Sequence, residues 1–133
     1  MAPVVRERPD AIEMAGLRFQ VAVAEEALGA RPGDCDLLRF LAHAYTLLGR
    51  RDDGLEADRR LVELLPADAR ARYNLACSLA LLGRPEEALR TLEEAVRLGF
   101  DDADLLRQDD DLESIRRDPA FAAIVASLRP RSA

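Results

Sequence analysis

The sequence predicts an all-α fold, an α-solenoid of antiparallel helix hairpins. Three observations predict it. The 133-residue chain overlaps itself at a shift of 34, so that Leu47-Leu48-Gly49-Arg50 returns unchanged as Leu81-Leu82-Gly83-Arg84. Apolar residues recur at helical spacing in segments that end at Gly or Pro. Ala, Leu, Glu and Arg, all good helix formers, dominate the composition.

The elements follow in chain order. Asp10 and Glu13 form a capping-box pattern ahead of a leading helix in residues 10–33. That helix carries two apolar stripes, Ile12, Ala15, Phe19, Val23 and Ala27 on one side and Met14, Leu17, Val21, Ala24 and Leu28 on another. A helix packed on one neighbour needs only one. Two full hairpins follow, 35–68 and 69–102. In the first, Leu37, Leu38, Leu41, Ala44, Tyr45 and Leu48 mark one helix and Gly49 its C-terminal cap. Leu55, Leu61, Val62 and Leu65 mark the second helix, which Pro66 stops. In the next hairpin Asp68 is the N-cap, Leu75, Ala76, Leu79 and Leu82 repeat the pattern, and Gly83 closes it. Pro85 opens the following helix, where its missing N–H is harmless. After Gly99-Phe100 the period breaks down into capping helices over 103–129: two short ones near 104–107 and 111–116, then one opened by Asp118-Pro119. A single domain over 1–133 is expected.

Composition sets further bounds. With 49% apolar and 33% charged residues the chain is globular; with 5% aromatics and no Trp its core is aliphatic. The formal net charge of −6 disfavours nucleic acid, which needs a positive excess. Every basic residue is Arg, scattered along the chain, as a GC-rich bacterial genome would give. Cys35 and Cys77 form no disulfide framework and are expected as thiols in a reducing compartment. Met1 to Asp10 holds no apolar signal core, and no run approaches the ~20 residues of a membrane span. A cytoplasmic protein without membrane contact is expected.

The period, with Leu38, Leu41, Ala42, Tyr45, Gly49 and Pro66 in the first repeat and Leu75, Ala76, Gly83, Ala88 and Ala95 in the second, resembles the tetratricopeptide repeat family. The departures are Gly54 and Leu61 at positions usually small, Arg72 for a large apolar residue and Phe100 for Pro. The resemblance implies a right-handed superhelix that binds a protein or peptide on its concave wall and catalyses nothing. It places Arg39, Phe40, His43 and Leu47 on that wall, and then Arg70, Tyr73, Asn74 and Cys77. Arg heads, two aromatic rings and an amide suit a peptide with acidic groups or a C-terminal carboxylate. In the related chaperone-binding repeats Lys and Asn clamp a terminal carboxylate. Asn74 matches one clamp position, and Arg39 and His43 occupy two others with altered chemistry; a general peptide groove is the preferred reading.

Other chemistry is poorly supported. His43, the single histidine, could act as a base for Cys77, but no oxyanion hole or orienting third group accompanies the pair. One His and two separated Cys miss metal-ligand spacing. Asp101-Asp102-Ala103-Asp104 and Asp109-Asp110-Asp111 lack the glycine and distal Glu of a calcium loop, and read as helix N-termini. No metal and no cofactor are expected. The rival to the adaptor reading is self-assembly, a homodimer formed through residues 12–28.

Overall fold

The computed structural model describes residues 9–128. The segment 1–8, for which no signal core is expected, and residue 129, the end of the expected capping region, lie outside them. Among the described residues the chain is all-α, with no strand. The order is α1 (Ala11–Ala30), α2 (Cys35–Leu47), α3 (Arg51–Leu64), α4 (Ala69–Leu81), α5 (Pro85–Arg97), α6 (Ala103–Gln108), a 3₁₀ segment (Asp110–Ile115) and α7 (Pro119–Ser127). The chain forms two compact units, Met1–Pro66 and Ala67–Ala133.

Helix boundaries are set by local chemistry. Asp10 Oδ1 accepts the Glu13 N–H at 2.8 Å while Glu13 reaches back to the Asp10 N–H, which closes the capping box. Asp34, Asp68, Asp102 and Asp118 cap α2, α4, α6 and α7 in the same sense, each accepting a first-turn backbone N–H. At the other ends Gly49 and Gly83 adopt φ of 75° and 71°. The Arg50 N–H then bonds back to the Tyr45 carbonyl and the Arg84 N–H to that of Leu79. These are Schellman turns, which need a residue that tolerates positive φ.

In the first unit α2 packs against α1 on one side and α3 on the other. The two stripes of α1 have different fates. Val21 and Ala24 are buried, and Leu17 and Leu28 partly so, against Leu41, Ala44 and Tyr45 of α2. The other stripe faces solvent, with Ile12 84%, Phe19 72% and Val23 54% exposed. On α3, Gly54 sits so close to α2 that a Cβ there would lie 3.3 Å from Thr46 Oγ1 and 3.6 Å from the Ala42 carbonyl oxygen. Leu61, an expected misfit, is almost fully buried; the close approach is carried two turns earlier by Gly54.

In the second unit α4 packs along α5 and the 3₁₀ segment covers α4, while α7 packs on α5 and α6. Ala76, Leu79, Ala88, Leu92, Ala95, Leu106 and Leu112 are completely inaccessible. The two departures from the repeat pattern are both accommodated here. Arg72 reaches Glu94 of α5 at 2.6 Å, and the Phe100 ring stacks on Tyr73 with centroids 4.4 Å apart.

Leu75 is 7% exposed and Ala76 0%. Leu75→Ala should cost ~2–5 kcal/mol in urea unfolding. Ala76→Leu should cost ~1–3 kcal/mol, because a packed helix contact has no room for the added carbons. Parent-like melts for both would refute the repeat register.

Candidate functional site

With one face of α2 turned to α1 and another to α3, its third face is left to solvent. Arg39, Phe40 and His43 are exposed there and Leu47 is half-buried. Positions three and four apart share a helix face, so these side chains form one surface. Phe40 is 36% exposed, and Arg39 pairs with the exposed Asp36 at 3.1 Å. A single exposed i,i+3 pair of this kind contributes little to stability. The guanidinium is therefore cheaply redirected to another anion.

On α4 the expected wall residues divide. Arg70 and Asn74 are exposed. Tyr73 and Cys77, expected on an open wall, are instead 3% and 6% exposed. The chain's own 3₁₀ segment and the preceding Asp109 lie over them. The Tyr73 hydroxyl donates to Asp109 Oδ2 at 2.5 Å, and the Cys77 thiol approaches the same oxygen at 3.9 Å. Asp109 Oδ1 accepts the Asp111 N–H at 3.0 Å, and Arg116 Nη2 donates to the Asp109 carbonyl at 2.6 Å. Burial and this carboxylate push the Tyr73 phenol far above its ordinary range. Cys77, Asp109 and Asp111 do bring one ligand atom each within 4.8 Å of one another. The space between them already carries donated protons, from a phenol, a thiol and a backbone amide, and a guanidinium stands beside it. That is the chemistry of a satisfied buried carboxylate.

The first unit holds a second polar cluster that the sequence did not single out. Tyr45 donates to Glu25 of α1 at 2.8 Å. Arg50 lies 3.6 Å from Glu25 and 2.9 Å from Asp53, with its guanidinium 4.6 Å above the Tyr45 ring. Burial first, then the hydrogen bond to Glu25, pushes the Tyr45 phenol up to about 12. The same unit also contains an open cleft of about 570 Å³, floored by Leu28, Leu38 and Leu41 and edged by Glu56 and Arg60 of α3.

No family model matches the chain. A stretch of 76 residues is 32% identical to a chloroplastic protein of Arabidopsis thaliana, covering 55% of this chain and 23% of that protein. A stretch of 64 residues is 35% identical to Protein CTR9 homolog, also of Arabidopsis thaliana, covering 48% of this chain and 6% of that protein. The chain thus spans less than a quarter of either relative. No helix among the described residues is long and apolar enough to cross a membrane.

The two tyrosines give a pH dependence of definite sign. A folded-state phenol pKa above the unfolded value of 10 means that the neutral form is favoured in the fold. The resulting stability is fully present below pH 10 and is lost as pH rises through the folded value, about 12 for Tyr45. The chain has no Lys, two Tyr and two Cys, so phenols and thiols share this window. With allowance for solvent screening at its hydroxyl, Tyr45 alone should lower the unfolding free energy by about 1–2 kcal/mol. Denaturant melts between pH 10 and 12 should show the loss in the parent and a smaller one in Tyr45→Phe/Tyr73→Phe.

Proposed function

We propose that the chain is a protein-interaction scaffold of the tetratricopeptide type, binding a partner peptide or protein on the exposed face of α2. The carrying observation is Phe40, an aromatic side chain left partly in solvent between Arg39 and His43, with the apolar Leu47 one turn on. An aromatic anchor flanked by cationic and hydrogen-bonding groups is the composition of an interface centre. The similarity of half the chain to segments of two larger proteins is in keeping with a module used inside longer assemblies.

The ligand class is an extended peptide with acidic side chains or a free C-terminal carboxylate. Arg39 supplies a planar fork for a carboxylate, His43 a second donor, and Phe40 and Leu47 apolar area. Arg70 and Asn74 offer the same two functions, cationic fork and amide, on α4. Tyr73 and Cys77 do not enter this reading, because the cap holds them. A binding role is also favoured over a catalytic one by the state of Cys77, whose thiol is buried against Asp109.

Fluorescence anisotropy with synthetic acidic peptides, each made with a free and an amidated C-terminus, tests the reading. Binding should weaken with salt and be lost in Arg39→Glu/Phe40→Ala, while the circular-dichroism melt stays within ~0.5 kcal/mol of the parent. Equal binding by parent and variant would refute α2 as the site. A preference for the free over the amidated end would assign the carboxylate to Arg39 and its neighbours.

A further inference from the structure

We propose that the carboxylate recognised on α2 is the side chain of an internal aspartate of the partner, held by Arg39 and His43 together. This rests on the adaptor reading and narrows it, since that reading leaves open whether the carboxylate is a side chain or a chain end.

The second unit supplies the precedent. Asp109 lies inside a continuous stretch of chain, between α6 and the 3₁₀ segment. Its carboxylate is seated on α4 by two side chains. The Tyr73 hydroxyl donates to Oδ2 at 2.5 Å, and the Cys77 thiol lies 3.9 Å from the same oxygen. Tyr73 and Cys77 are four residues apart, so they share a helix face and converge on one acceptor. The chain then runs on along α4, where Ser114 Oγ donates to the Ala80 carbonyl at 3.1 Å. The first helix of a hairpin thus takes an aspartate from a passing segment, and takes it at these two positions.

The 34-residue repeat carries the same two positions onto α2 as Arg39 and His43. The register of the two helices is fixed at both ends. Asp34 and Asp68 cap them alike, and Gly49 and Gly83 close them with matching φ. A planar guanidinium and an imidazole ring N–H are stronger donors to a carboxylate than a phenol and a thiol. They are also accessible: Arg39 and His43 are exposed, whereas Tyr73 and Cys77 are covered by the chain's own aspartate. Asp36 lies 3.1 Å from Arg39, but its own side chain is 96% exposed. The guanidinium carries five N–H donors, so Asp36 leaves others for a second carboxylate. One carboxylate set between Arg39 and His43 therefore repeats on α2 the contact that Asp109 makes on α4.

Fluorescence anisotropy tests this, using the full chain and a labelled peptide copied from residues 107–117. The peptide is acetylated and amidated, so it has no free chain end. The parent should bind it. Arg39→Gln and His43→Ala should each weaken binding about tenfold without moving the thermal melt. A second peptide carrying Asp109→Asn, Asp110→Asn and Asp111→Asn should bind weakly to the parent. The two chain variants should not weaken it further, because the contact they remove is already gone. Binding of the aspartate peptide that ignores both variants would overturn the proposal. Binding confined to peptides with a free C-terminal carboxylate, and still lost in Arg39→Gln, would overturn it while leaving the adaptor reading intact. Failure of every acidic peptide to bind would remove both.

Discussion

The structure depends on how closely two helices of a hairpin approach each other. In the first hairpin that approach is closest at Gly54, where a methyl group would press on the Thr46 hydroxyl and touch the Ala42 carbonyl. In the second the equivalent position is Ala88, completely inaccessible, facing an α4 whose Ala76 is equally buried. Small residues at these points let backbone-to-backbone packing replace bulky side chains. A chain with no Trp and few aromatics can then bury an aliphatic core of Leu and Ala. Leu41, Leu61, Leu79 and Leu92 are among the largest fully buried side chains of that core.

The second constraint is a buried carboxylate. Asp109 stands where the repeat pattern stops, and its charge must be satisfied inside the second unit. The Tyr73 hydroxyl, the Asp111 amide and the Cys77 thiol satisfy its oxygens, while Arg116 holds its carbonyl. Phe100, in place of the usual proline, covers the other face of Tyr73. Together these contacts fix the cap onto α4. Tyr73 and Cys77, which the resemblance would place on an open wall, are held in closing the unit.

What was legible in the sequence divides along range of interaction. The capping box at Asp10, the N-caps at Asp34 and Asp68 and the Schellman turns at Gly49 and Gly83 involve residues a few positions apart, and each can be read from a short window. The hydrogen bond from Tyr73 to Asp109 spans 36 positions, and nothing local distinguishes a Tyr on an open wall from one beneath a cap. The only hint was the departure at Phe100. The two stripes of α1 show a different limit. Periodicity reveals both, since each has helical spacing, but cannot rank them. The choice is made by Leu41, Ala44 and Tyr45 on α2, and by the bond from Tyr45 to Glu25 that fixes the rotation of α1.

The same division explains why the acidic balance of the chain says little about its ligand. Asp10, Asp34, Asp68, Asp102, Asp109 and Asp118 each accept a backbone N–H at the start of a helix or of the 3₁₀ segment. Asp53, Glu63, Glu93 and Asp104 pair with an Arg three or four positions away. Ten of the 25 acidic side chains are thereby tied to helix ends and local pairs, where they offset exposed amides and guanidinium groups. The net charge is then a poor guide to the field over any one face. On α2 the groups that point outward beyond the Asp36 carboxylate are Arg39, Phe40 and His43. A chain that is acidic as a whole can therefore present a face on which Arg39 and Asp36 balance each other beside the partly exposed Phe40 ring.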